Sequence, residues 1–424
     1  MITLRIGSSV MLASLLACGG QSTVSPVNQI AADAAIVGDA GAATLRLSAN
    51  AWRENVRVTL DAFIASPNLG ATKRVALFDW DNTMIKNDVG DAMTYWMLKN
   101  GKLRAPAGND WAATSPFLTA VAKARLNAVC GASASTAGLL RTPTNADCTK
   151  EILSVYGNAK TTTGVAAFAG HDARRMEPAY AWASALLAGY TESQLSGFAD
   201  EAIAENELAP VDAKQTLAGV DVAGYTRLYP EMKELVNRLR TAGFDVWVVS
   251  ASAEPVVRSY AKRAGIDAGH VIGVRAALDN AGLWSAHVQG CGGGAADTAI
   301  TYIDGKRCWI NQVVYGDTTA SAWQRRSGVR QVFAAGDSNT DIMFLRDATD
   351  LRLVLNRNKE ELMCFSYNNE DTRWLVQPMF IGPKAARAAL YPCASTACTD
   401  SAGGNGACKA ESGAVIADQA DAVH

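Results

Sequence analysis

The sequence predicts an α/β fold: a mostly parallel sheet between helical layers, with a block of helices inserted after the first strand. Three observations carry this. Short apolar runs at 75–78, 244–249, 330–335 and 351–355 read as strands buried on both faces. Stretches with helical spacing separate the later runs, as crossover connections of a parallel sheet require. Between residues 84 and 224 such runs are missing, and the chain is Ala-rich with helical spacing instead.

From the N-terminus, Met1–Ala17 has one cation, Arg5, and an apolar core over residues 10–17, which is a secretory signal. Leu15-Leu16-Ala17-Cys18 resembles the bacterial lipobox, so residues 1–18 are expected to be a signal and Cys18 the lipidated residue. Residues 19–47 read as a tether. An exported protein, periplasmic or held at the outer membrane by that lipid, follows. Trp52, Val56, Leu60, Phe63 and Ile64 have helical spacing. The expected catalytic core comprises residues 48–83 and 225–394, and the insertion 84–224 holds helices at 91–99, 116–128, 178–188 and 192–204. In the core, a helix at 231–242 ends at Gly243. A short strand follows at 271–274, then a hairpin at 278–289, and 351–355 is the last expected core strand. Residues 395–424 read as an irregular, Cys-containing tail.

The 424 residues carry a formal net charge of −2 and no basic run, which excludes an electrostatic nucleic-acid binder. No internal apolar run is long enough to span a bilayer.

The chemistry concentrates at strand exits. The first run ends in Asp79-Trp80-Asp81-Asn82-Thr83, the second at Ser250-Ala251-Ser252, and the third in Gly336-Asp337-Ser338-Asn339-Thr340-Asp341. Lys306 lies between the last two, with Lys262 and Lys233 as alternatives. Buried carboxylates are costly unless paired or bound to a cation. Asp-x-Asp-x-Thr, Ser, Lys and Gly-Asp-Ser-x-x-Asp in this order resemble the haloacid dehalogenase superfamily of phosphohydrolases, whose fold is a Rossmann-like three-layer core. The helical insertion resembles the cap of its phosphoserine-phosphatase-like branch.

The resemblance implies roles. Asp79 would be the nucleophile and Asp81 the general acid, then base. Ser250 and backbone N–H groups near Trp80, Asp81 and Ala251 would hold the phosphate, with Asn82 and Thr83 in the same phosphate-binding set, and Lys306 would neutralise charge. Asp79, Asp81 (through its carbonyl), Asp337 and Asp341 would surround Mg²⁺, with Asp341 as ligand or support. The partner would be a small phosphorylated metabolite.

Phe78-Asp79-Trp80-Asp81-Asn82-Thr83, Asn356-Arg357-Asn358-Lys359 and the 180–191 segment also resemble exported bacterial phosphorylcholine phosphatases. A quaternary ammonium needs aromatic faces and a carboxylate. Tyr95, Trp96, Tyr180, Trp182 and Tyr190 are candidates, with Asp88 or Glu177. A phosphonatase or dehalogenase on the same fold, or a non-catalytic envelope binding protein, are the alternative readings. Beyond Cys18, eight cysteines remain, and an even number in an exported chain suggests four disulfides. Pairing of sequence neighbours is the natural guess: Cys130–Cys148, Cys291–Cys308, Cys364–Cys393 and Cys398–Cys408.

Overall fold

The computed structural model describes residues 46–49, 51–67, 73–131 and 138–424, all within one compact unit, Leu45–His424. Cys18, the signal and nearly all of the tether lie outside the described residues.

Six parallel strands form the central sheet: β1 (Val75–Phe78), β2 (Asp245–Ala253), β3 (Val271–Val274), β4 (Phe333–Gly336), β5 (Leu351–Asn356) and β6 (Trp374–Pro378). Their spatial order is β6-β5-β4-β1-β2-β3. The side-chain period of two divides β1 between two cores. Ala76 and Phe78 pack with Val56, Leu60 and Ile64 of α1 (Glu54–Ala65), while Val75 and Leu77 face the other layer with Trp309, Ile342 and Leu362. This makes three layers. From β1 the chain winds outward through β2 and β3, then returns to place β4 on the other side of β1. Strand order therefore reverses between β1 and β4, the place where an open α/β sheet leaves a crevice at its carboxyl edge.

The insertion holds α2 (Val89–Lys99), α3 (Ala120–Cys130), α4 (Ala146–Asn158), α5 (Pro178–Ala185) and α6 (Glu192–Leu208). Expected and observed helices differ at several points: α2 starts two residues earlier, at Val89, and α6 runs on to Leu208. α3 starts at 120 rather than 116, because the Thr119 hydroxyl caps the Ala122 N–H. The helix starting at Pro178 stops at Ala185, and α4 was not expected. A small antiparallel ribbon, Lys214–Leu217 with Val220–Ala223, closes the insertion.

The core helices are α7 (Pro230–Thr241), α8 (Glu254–Ala261), α9 (Asp304–Val313), α10 (Ile342–Asp347) and α11 (Glu360–Asn368). β5 is not the last core strand, since β6 pairs outside it. The expected hairpin is present as Ala276–Leu278 with Trp284–Val288. Four disulfides join Cys130–Cys148, Cys291–Cys308, Cys364–Cys393 and Cys398–Cys408, each pair being neighbours in sequence. Among the described residues no helix is long and apolar enough to cross a membrane.

Candidate active site

Asp79 leaves β1 at its carboxyl end and Asp337 leaves β4 beside it, so the switch point brings two carboxylates together. Two glycines make the approach possible. A Cβ on Gly336 would lie 2.7 Å from the Asp341 side chain, and one on Gly305 would strike the Ile300 carbonyl at 1.8 Å. The first lets Asp341 fold back onto the strand end. The second lets the 300–305 turn deliver Lys306 with no strand before it.

Lys306 is fully buried, and its Nζ donates to Asp79 Oδ1 and Asp341 Oδ1, both at 2.6 Å. Lys262 and Lys233 take no part; Lys262 pairs with Asp200 on the surface. Burial works against the Lys306 charge, but Asp341 and then Asp79 outweigh it, so its pKa is raised. The Asp79 carboxyl is itself raised well above 3.8, first by burial and then by Asp341, with Lys306 opposing. Asp341 accepts five donors: Lys306, the hydroxyls of Thr340 and Ser338, and the backbone N–H groups of Asp337 and Ser338. It therefore holds the loop and the lysine in place. Asp337 Oδ2 accepts from Arg357 at 2.5 Å, and Thr83 Oγ1 lies 2.8 Å from Asp79 Oδ2 and 3.0 Å from Asp337 Oδ1. Thr83 thus supports the carboxylates and does not face a phosphate.

Asp81 is held differently. Its Oδ1 accepts from the Val89 N–H at 2.7 Å, and its Oδ2 accepts from Ser252 Oγ at 2.8 Å and Ser250 Oγ at 3.1 Å. Burial, and then the Asp88 carboxylate, raise its pKa well above 3.8. The expected phosphate-holding role of Ser250 meets a different geometry. β2 runs on to Ala253, so Ser250 and Ser252 share a face. Ser250 is fully buried beneath Asp81, and Ser252 lines the cavity above. Ala251 and Asn82 also line that cavity; Asn82 adopts the left-handed φ of 63° that asparagine tolerates. The Trp80 side chain points away, packed edge-on against Tyr260.

Oxygens of Asp79, Asp337 and Asp341 lie within 4.8 Å of one another. An all-oxygen set of this kind fits a hard divalent cation such as Mg²⁺. The Asp81 carboxylate stands outside the group, turned to its two serines.

Above the carboxylates, core and insertion enclose a cavity of about 490 Å³. Of the five aromatics named from the sequence, Tyr95 and Tyr180 line it. Trp182 does not. It is fully buried, with Nε1 donating to Thr114 Oγ1 and its ring beside Trp111. Trp96 stacks on Phe198, and Tyr190 donates to the Lys102 carbonyl; both pack the insertion. Glu177 caps α5. Two further aromatics complete the wall. Tyr156 of α4 donates to Asp91 Oδ1 at 2.6 Å, and Tyr302 meets Tyr180 edge-on. Asp88 and Asp91 both face this space, and burial followed by the nearby Asp88 charge pushes Asp91 up to about 7. Arg357 and Lys359, in the noted Asn-Arg-Asn-Lys segment, are cavity-lining cations that sequence reasoning left without a role.

Parts of the chain are similar to known proteins. The haloacid dehalogenase-like hydrolase family model matches residues 161–346, which include Ser250, Lys306 and Asp337 but not β1. A phosphorylcholine phosphatase from Pseudomonas aeruginosa is 35% identical over 107 residues, 24% of this chain and 30% of that protein. The chain thus aligns with less than a third of that relative's length. A conserved protein of unknown function from Anaerococcus prevotii shares the fold with a TM-score of 0.57 at 18% identity, covering 77% of this chain and 93% of the other. A phosphoserine phosphatase structure also matches at 12% identity, over 68% of this chain and 87% of its own, but with a TM-score of 0.30. The segment 161–346, less than half of the chain, is thus similar to haloacid dehalogenase-like hydrolases, and the chain shares its fold with the Anaerococcus prevotii protein.

Proposed function

We propose that the protein is a Mg²⁺-dependent phosphomonoesterase working through an aspartyl-phosphate on Asp79. One observation carries this: a buried Lys306–Asp79 pair at the carboxyl end of β1, with a second, raised-pKa carboxyl, Asp81, beside it in the same cavity. Asp79 Oδ attacks phosphorus. The P–O ester bond breaks, its electron pair leaves with the ester oxygen, and Asp81 gives that oxygen its proton. Asp81, now a carboxylate, takes a proton from water as that water attacks the aspartyl-phosphate, releasing phosphate and restoring Asp79. Lys306 and Arg357 balance negative charge around the reacting group. A cation bound by Asp79 and Asp337 would add Lewis-acid stabilisation of the phosphoryl oxygens.

The test is phosphate release from p-nitrophenyl phosphate and phosphorylcholine by oxidised protein. Turnover should require Mg²⁺ and vanish with EDTA. Turnover persisting at full rate in EDTA would remove the metal from the account.

Phosphorylcholine is the finer reading. It is supported by a cavity with four tyrosines and two carboxylates, Asp88 and Asp91, and by the phosphorylcholine phosphatase relative. A trimethylammonium group gains about 0.5–2 kcal/mol from each aromatic face. Tyr180→Ala should therefore raise KM for phosphorylcholine roughly 3- to 30-fold and leave KM for p-nitrophenyl phosphate nearly unchanged. Equal changes for both substrates would place Tyr180 outside the headgroup site.

The Asp81 environment predicts a pH effect. Its protonated form is the leaving-group acid, so kcat/KM falls as pH rises through the raised pKa. Asp88→Asn removes the second cause of that elevation while asparagine keeps the cap of α2. Asp81 then loses its proton at lower pH, and the basic limb of the profile should move toward acid. A limb that stays put belongs to another group.

Export as a lipoprotein through Cys18 remains part of the proposal, supported by the signal-like N-terminus and four disulfides.

A further inference from the structure

At the amino ends of β4, β5 and β6, opposite the catalytic edge, lies a second cavity of about 150 Å³. Five arginines line it: Arg325, Arg330, Arg346, Arg352 and Arg373. Three are already matched to carboxylates. Arg325 and Arg346 share Glu411 from the C-terminal tail, with contacts of 2.8 and 2.6 Å, and Arg352 grips Asp371 at 2.8 and 2.6 Å. Glu370, the remaining acid, accepts the Glu411 N–H. Arg330 and Arg373 have no carboxylate partner among the described residues, and the Arg330 Nε is shielded from solvent without a hydrogen-bond acceptor.

Burying a donor of a charged group without an acceptor is unfavourable, by more than for a neutral one. Guanidinium donors match tetrahedral oxyanions and carboxylates in bidentate geometry. The Glu411 contacts show the same cluster doing this for a carboxylate of the chain itself. The space left beside Arg330 and Arg373 is small, which suits an ion and not a large metabolite.

We propose that this pocket is a binding site for a small tetrahedral oxyanion of the inorganic phosphate type, held by Arg330 and Arg373. The site is separate from the phosphatase reading and does not depend on it.

The experiment is thermal unfolding of the oxidised protein in EDTA, titrated with sodium phosphate against sodium chloride at matched ionic strength. EDTA strips metal from the carboxylate cluster, and substitutions at Arg330 and Arg373 leave that centre unchanged, so phosphate bound there would give the same response in wild type and variants. A ligand that binds only the folded state raises Tm with its concentration. Phosphate should raise Tm beyond chloride. In Arg330→Gln/Arg373→Gln the phosphate concentration needed for the same rise should increase on the order of tenfold or more. Arg373 is exposed, so Arg373→Gln alone leaves the packing intact and should show part of the loss. A phosphate response equal in wild type and both variants, or none above chloride in wild type, would overturn the proposal.

Discussion

Asp79→Asn should lower kcat for any phosphomonoester by on the order of 10⁴-fold or more, because the amide cannot form the acyl-phosphate. The same change should not destabilise the metal-free protein. Asp79 is buried among Asp341 and Asp337, and burial and those charges raise its pKa. Asparagine can keep its Oδ1 as an acceptor for Lys306 Nζ and turn its Nδ2 as a donor to Thr83 Oγ1, which still donates to Asp337, while one charge leaves the cluster and Lys306 retains Asp341. Tm in EDTA should be equal or higher. This pairing separates loss of chemistry from loss of fold. A variant that is inactive and also much less stable would mean that the ionised Asp79 holds the fold together.

Lys306→Met should fail in the opposite way, losing activity and stability together. It leaves Asp79 and Asp341 buried without the cation 2.6 Å from each. Removing one partner of a buried pair costs about 3–5 kcal/mol. The pH dependence follows from the direction of the Asp79 shift. A carboxyl whose folded pKa lies above its unfolded value stabilises the fold when protonated, and that contribution is lost as pH rises from about 3.8 through the raised value. Without Lys306 the main opposition to this elevation is gone, so the stability deficit should be smallest at acid pH and widen toward neutrality. Denaturant unfolding at several pH values reads it directly. A deficit that does not change with pH would make Lys306 a packing residue only.

The carboxylates of the candidate site were legible because Asp79, Asp81 and Asp337 sit where a buried strand ends. Continuous apolar runs identify β1, β2, β4 and β5, and the polar residue that terminates each run marks the crevice. Lys306 had no strand to announce it; its spacing and the helical stretch 310–314 after it were the signal, and the structure adds that Gly305 permits the tight turn against Ile300. Ser250 and Ser252 could not be ranked from sequence, since that depends on how far β2 continues past Val249. The cavity wall was the least legible part. Tyr156 and Tyr302 lie far apart in the chain, and Trp182 carries the same aromatic signal as Tyr180 yet turns inward to Thr114. A helix such as α5 has both a packed and an open face, and only the docking of α4, β2 and the strand Trp284–Val288 against it decides which is which. β6 was hidden because Trp374–Pro378 is short, mixed with polar residues, and ends in proline on the sheet edge.

The most direct measurement is covalent trapping on Asp79. Mg²⁺-loaded Asp81→Asn protein, mixed with p-nitrophenyl phosphate and quenched in acid, should carry a phosphoryl group on the peptide containing Asp79. It should accumulate there because the base that activates water is gone, and wild-type protein should show less. A phosphoryl group on another residue, or wild-type turnover with no trapped phosphate in either protein, would contradict Asp79 as the nucleophile.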